Sequence, residues 1–211
     1  MKNNLILLRH YIFIDPFNLL NDINNNDILN DIKKIHKKHY TNNEVIKYYG
    51  YNEIINLLKN YDNELCKLFK NLNPNYPALL ADIGRLIILY TYGGVYHDLK
   101  CISNKKMIDY LNSVSSEIKL IGDEHAIKKN RVRNTNIVAL QKNNEFINSV
   151  LQKIKIKLKD SKYAFGPEAM YIIGSGTYIR EFSKQENYIY KYPFQTNKMI
   201  TFFGEIKLKN I

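Results

Sequence analysis

Residues 76–103 read YPALLADIGRLIILYTYGGVYHDLKCIS, and the fold is decided in this stretch. Pro77 stands where a first helical turn accepts proline, since the amide it lacks would have no helical partner there, and Asn75 is the expected N-cap. Leu79, Ile83, Leu86, Ile87 and Tyr90 recur at helical spacing and define a broad buried face. The pair Gly93-Gly94 stops the helix, because glycine takes the positive-φ conformations that suit a helix C-terminus. Val95, Tyr96 and His97 then read as a strand with Asp98 at its carboxyl end. In open α/β sheets, ligands bind at that end.

Two polar residues interrupt the apolar helix. Asp82 and Arg85 are three positions apart and share one helical face. Helix composition alone makes them an ion pair on a solvated surface. The order of residues around them points further. Asp82, Arg85, Tyr90, Gly93, Gly94, Tyr96 and Asp98 stand in the order and spacing of a sugar-nucleotide signature, S-D-x-x-R-Y followed by L-Y-x-x-G-G-x-Y-x-D-x-D; this chain has A-D-I-G-R-L and then L-Y-T-Y-G-G-V-Y-H-D-L-K. The block resembles the DXD-containing glycosyltransferases of family 32 and the glucosylating bacterial toxins. The resemblance spans roughly residues 40–182 and is strong over 78–102.

That resemblance implies a GT-A fold, a Rossmann-like α/β domain with a mixed, mostly parallel sheet and helices on both faces. It implies transfer of a sugar from a UDP- or GDP-type nucleotide diphosphate donor to a glycan or protein acceptor, with retention of configuration. In the family the DXD carboxylates hold a divalent metal, Mn or Mg, that bridges the donor phosphates, as hard cations prefer oxygen ligands. Here the second Asp is replaced by Lys100. Three readings follow: Lys100 supplies the positive charge itself, Asp98 alone holds the ion with water and phosphate, or the chain is a degenerate nucleotide-sugar or glycan binder. Asp98, Lys100 and Glu168 are the candidates for the chemistry, with Asp98 as the metal ligand. Asp82, Arg85 and Tyr96 are the candidates for holding the donor.

Further positions follow from the same resemblance. Family members open with a strand ending H-Q-x-W, whose aromatic stacks on the donor base; His10, Tyr11, Ile12 and Phe13 align there, so Tyr11 and Phe13 are candidate stacking residues. An Asn before a late strand binds the donor sugar in the family, which makes Asn136 a candidate and Asn134 the fallback. Phe165-Gly166-Pro167-Glu168 resembles the family's T-G-P turn and places Glu168 in a first helical turn, where a carboxylate also suits the helix dipole. Asp123, in an expected Gly122–Glu124 turn, is a second placeholder for a catalytic carboxylate.

The remaining sequence bounds these expectations. A chain of 211 residues is read as a single domain, residues 1–211, or the first domain of something longer. Strand-like segments at Leu5–Ile14, Val45–Tyr49, Glu117–Ile121, Asn136–Leu140, Tyr188–Tyr192 and Met199–Leu208 alternate with helical patterns, which argues for an α/β sheet. Helices are expected at Asp27–Lys38, with Ile28, Leu29, Ile32 and Ile35 inward and His36 and His39 at the surface, and at Asn52–Asn60, Asp62–Leu72, Lys105–Leu111 and Asn143–Lys159. Cys66 and Cys101 have no metal-ligand spacing and read as reduced, partly buried thiols. The formal net charge of +11 favours anionic partners, whether nucleotide diphosphates or an anionic membrane surface. No nucleic-acid-binding signature accompanies it. No apolar run is long enough to span a bilayer and the N-terminus lacks a cleavage site, so a cytoplasmic location is expected.

Overall fold

The computed structural model describes residues 7–15, 23–40, 44–99, 101, 120–124, 132–139, 141–160, 169, 172–183 and 189–192. In chain order the elements are β1 (Leu7–Ile12), a 3-10 turn (Ile23–Asn25), α1 (Asp27–His39), β2 (Glu44–Tyr49), α2 (Tyr51–Tyr61), α3 (Asn63–Lys70), α4 (Pro77–Tyr92), β3 (Gly94–His97), β4 (Leu120–Glu124), β5 (Val132–Ala139), α5 (Glu145–Lys159), α6 (Ser175–Ser183) and β6 (Ile189–Tyr192). The expectations at Lys105–Leu111 and Met199–Leu208 lie outside the described residues.

Among the described residues one sheet carries six strands, in the order β2-β1-β3-β5-β4-β6. β1 runs parallel to both β2 and β3, and β4 runs parallel to β6. β5 opposes both of its neighbours, β3 and β4. The sheet is therefore mixed and mostly parallel. The Gly122–Glu124 segment, expected to be a turn, continues β4 with a bulge between Gly122 and Asp123. Pairing with β5 overrides the turn propensity of its Gly and Asp.

Successive residues of β1 face opposite sides of the sheet. His10 and Ile12 face α4: Nε2 of His10 meets the Gly93 carbonyl at 2.8 Å, and a Cβ added at Gly84 of α4 would lie 3.0 Å from the Ile12 side chain. Tyr11 faces the other way, its ring 4.2 Å from that of His36 on α1. Helices thus cover both faces. The larger core lies on the α4 side, where Leu79, Leu80, Ile83, Leu86, Ile87, Ile88 and Leu89 pack with Ile54, Leu58, Leu65 and Phe69 of α2 and α3 and with Ile147, Val150, Leu151 and Ile154 of α5. Burying each such side chain contributes roughly 1.5–3 kcal/mol, which explains why an almost wholly apolar α4 sits at the centre.

The junction after α4 sets the position of Asp98. Gly93 has φ +66° and its amide donates to the Leu89 carbonyl at 2.9 Å, closing the helix; Gly94 has φ +89° and opens β3. A Cβ at Gly94 would lie 2.5 Å from the Leu8 carbonyl, so β3 runs against β1 only with glycine there.

Two local expectations change. The N-cap of α4 is Tyr76, with no side-chain cap bond, because Asn75 is drawn into a preceding turn in which its amide donates to Asn73 Oδ1 at 3.0 Å. In α1 the buried stripe is Leu29, Ile32 and His36, while Ile28 is 52% exposed. His36 continues the i, i+3, i+7 row from Leu29, so it is a core residue and not the surface histidine expected. His39 is exposed, and Cys66 and Cys101 are free, buried thiols.

Candidate functional site

Asp82 and Arg85 lie on the α4 face turned toward the carboxyl end of β3. Arg85 Nη2 is 2.7 Å from Asp82 Oδ1, and its Nη1 is 3.6 Å from Asp98 Oδ1. The guanidinium lies over the Tyr96 ring, 4.6 Å from its centroid, and Tyr96 donates its hydroxyl to Asp98 Oδ1 at 3.0 Å. The Nε of Arg85 donates back to the Ala81 carbonyl at 3.3 Å. Four side chains from one helix and one strand are therefore joined around a single cation.

Exposure grades across the cluster. The side chains of Asp82 and Arg85 are 6% and 7% exposed, whereas Asp98 is 26% exposed. Asp98 is thus its open end. Burial works against the Arg85 charge, but Tyr96, Asp82, Asp98 and Tyr178 outweigh it, so the guanidinium is held above its ordinary range and stays protonated. Burial likewise pushes the Tyr96 hydroxyl well above its usual range, which keeps it a donor. Two carboxylates and one guanidinium leave the cluster with a formal charge of −1. Such a group is suited to accept hydrogen bonds from hydroxyls; it does not by itself attract a diphosphate.

Residues beyond the motif complete the site. Gly174, immediately before α6, is packed on Asp82: an added Cβ would lie 2.5 Å from Asp82 Oδ2. Tyr178 of α6 is buried and acts on the Arg85 charge. The closeness of Gly174 to Asp82 has no signal in sequence spacing. Nothing in the periodicity distinguishes Tyr178 from any other buried aromatic.

Other sequence candidates fall elsewhere. Tyr11 is fully buried on the opposite face of the sheet, where its ring meets His36, Tyr48 and His97, so it is not available to stack on a ligand. Strand alternation is the reason: with His10 and Ile12 toward α4, Tyr11 must point away. Phe13 is half-buried just past β1, its amide donating to the Tyr49 carbonyl at 2.9 Å. Asn136 stands inside β5, paired with His97 of β3, one residue from Asp98 in sequence. Asn134 and Asp123 lie in β5 and β4. Lys100 and Glu168 lie outside the described residues. His10 bonds Tyr49 and Gly93 and has its pKa lowered to about 4, chiefly by burial.

The described donor atoms do not fit a preformed divalent-cation site. Among the described residues no three His, Cys, Asp or Glu side chains cluster for one. The two carboxylates present share Arg85, and Asp98 Oδ1 already accepts from Tyr96.

The fold is of the GT-A type. Residues 23–121 match the family described as "Glycosyltransferase sugar-binding region containing DXD motif", the same family that the block ending at Asp98 resembles. That segment contains Asp82, Arg85, Tyr96 and Asp98 and begins beyond Tyr11 and Phe13. Among solved structures the chain is similar to "PaToxG Glycosyltransferase", at 16% identity over 95% of this chain and 74% of that one, with a TM-score of 0.52. It also aligns with the UDP-bound glycosyltransferase domain from the YGT toxin, at 14% identity over 88% of this chain and 46% of that one, with a TM-score of 0.40. The ligand-free form of that domain gives 14% identity, 78% and 45% coverage and a TM-score of 0.39. Among curated proteins no sequence matches. Among the described residues no helix is long and apolar enough to cross a membrane.

Proposed function

We propose that the chain transfers a hexose, with retention, from a UDP- or GDP-sugar to a glycan or protein acceptor. The observation that carries this reading is the Asp82–Arg85–Asp98 cluster at the carboxyl end of β3, within the matched sugar-binding region. The carboxylates of Asp82 and Asp98 accept hydrogen bonds from donor hydroxyls, and Arg85 fixes both carboxylates so that the anomeric carbon is presented in one orientation. Tyr96 holds the Asp98 rotamer.

Charge builds on the leaving diphosphate as the glycosidic bond breaks, and a cation must meet it. The cluster's charge of −1 leaves that task to another group. Lys100, two residues after Asp98 in sequence, is the cation this chain offers where the family has a second metal-binding carboxylate. Asn136 is the proposed contact to the donor sugar. Glu168 remains the proposed carboxylate near the reacting centre.

Hydrolysis of UDP- and GDP-sugars tests the reading. The wild-type chain is expected to release nucleotide from one of them with chelator present, and Asp82→Asn and Asp98→Asn are expected to lose that release while remaining folded. Lys100→Asp is expected to make turnover depend on added manganese. A wild-type chain inert toward every donor, or variants as active as wild type, contradicts the proposal.

A further inference from the structure

The face of the sheet opposite α4 holds buried polar side chains that the proposed chemistry does not use. Arg9, Tyr11, His36 and His97 are all fully buried there. Arg9 donates from Nε to Glu44 Oε1 at 2.7 Å and from Nη1 to His97 Nε2 at 2.8 Å. Arginine only donates, so His97 Nε2 is the acceptor and its proton sits on Nδ1. Burying this many polar groups is costly unless each finds a partner, and where the partners lie is informative.

One of these residues reaches the backbone directly after Asp98. Tyr11 donates its hydroxyl to the Cys101 carbonyl at 3.3 Å. A hydroxyl has one proton, so the Tyr40 hydroxyl bonded to it is the donor in that pair. His36, bonded through Nδ1 to the Tyr48 hydroxyl at 2.8 Å, packs its ring on that of Tyr11 with centroids 4.2 Å apart. The Cys101 amide in turn donates to the Asp98 carbonyl at 2.7 Å, closing a turn. Asp98 is therefore held from two sides: Arg85 and Tyr96 fix its carboxylate from the α4 face, and Tyr11, packed on the His36 ring, holds the backbone that follows it from the α1 face.

We propose that Tyr11, backed by the His36 ring, is a positioning residue for the backbone at Cys101 and, through the Cys101–Asp98 bond, sets the carboxylate of Asp98 for ligand binding without touching the ligand. This rests on the reading of Asp98 as a donor-binding residue. A side chain near the mouth of a site keeps one geometry only when its backbone is fixed as firmly as its tip. The Tyr11 hydroxyl ties Cys101 to the sheet's second face.

The test uses Tyr11→Phe, which deletes the hydroxyl and keeps the ring, beside Leu158→Ala in α5 as a core variant remote from the turn. Amide exchange at Cys101 is measured on the full chain, together with the Kd for UDP-glucose and GDP-mannose. Losing one such bond is expected to speed Cys101 exchange roughly tenfold and to weaken sugar-nucleotide binding by a similar factor. Leu158→Ala is expected to lower Tm and leave both unchanged. Unchanged exchange in Tyr11→Phe overturns the inference, and so does faster exchange with unaltered affinity. A wild-type chain that binds neither probe removes the donor reading, and the exchange result then decides the clamp alone. Should Tyr11→Phe not fold, His36→Gln is read by the same two measurements.

Discussion

Arg85 Nη2 stands 2.7 Å from Asp82 Oδ1, one turn away on the same helix, with both side chains shielded from solvent. On a surface such a pair contributes little. Here the pair is buried, and Asp98 lies on the guanidinium's second edge. Removing one member of a buried pair costs about 3–5 kcal/mol, because it strands the other. Arg85→Met is expected to lower stability by that amount in urea unfolding. The double variant Asp82→Asn/Arg85→Met is expected to recover part of the loss, since no unpaired charge is left between α4 and α6.

Gly174 is the second constraint on Asp82. A methyl group there would lie 2.5 Å from Oδ2, closer than any relaxed contact. Gly174→Ala is expected to destabilise by about 1–3 kcal/mol, as overpacking does, and to weaken donor binding by displacing the carboxylate. Urea unfolding and calorimetry with a sugar nucleotide measure the two effects. A variant that binds the donor as tightly as wild type would show that Asp82 tolerates the shift.

The junction of α4 and β3 predicts a purely structural loss. Gly94 combines φ +89° with a Leu8 carbonyl 2.5 Å from the missing Cβ. Gly94→Ala adds backbone strain of about 1–3 kcal/mol to that clash. Its Tm is expected to fall further than that of Gly84→Ala, whose Cβ would meet only the ends of the Ile54 and Ile12 side chains.

How much was legible in the sequence follows from these same positions. The α4–Gly93-Gly94–β3 unit was readable because helix periodicity, two glycines and a strand ending in Asp98 occur in one uninterrupted stretch. Asp82 and Arg85 were readable as neighbours, since i, i+3 spacing fixes that whatever the tertiary fold. Their burial was not readable, because it comes from Gly174 and Tyr178, nearly a hundred residues away. Tyr11 and His36 were misplaced for one shared reason. Their side-chain directions depend on which face of β1 and of α1 meets the sheet's second core, and a short strand such as LLRHYI, with Arg9 and His10 adjacent, carries no polar–apolar alternation to reveal it.

Stability is expected to decline on mild acidification. His10 and His36 have pKa values of about 4 in the folded chain, chiefly through burial, against an ordinary value of 6.5. Above pH 6.5 both states are neutral and the histidines contribute no pH dependence. As pH falls from 6.5 toward 4, the unfolded chain takes up protons that the folded chain refuses, so the folded state loses ground. Two such groups give a slope of up to roughly 2.7 kcal/mol per pH unit. Below that window the lowered carboxyl of Asp62 adds a loss of the same sign. Urea midpoints measured from pH 7.5 to 4 check this, and His36→Gln is expected to flatten the curve.

The central claim is that Asp82, Arg85 and Asp98 form one pocket for a diphospho-sugar, and calorimetric titration with UDP- and GDP-sugars tests it most directly. The wild-type chain is expected to bind at least one of them. A ligand at about 100 times its Kd would then raise folded-state stability by roughly 2.7 kcal/mol. Asp98→Asn is expected to keep its fold and lose that binding. Wild-type affinity in folded Asp98→Asn, or binding only to generic polyanions with steep salt dependence, would contradict the account.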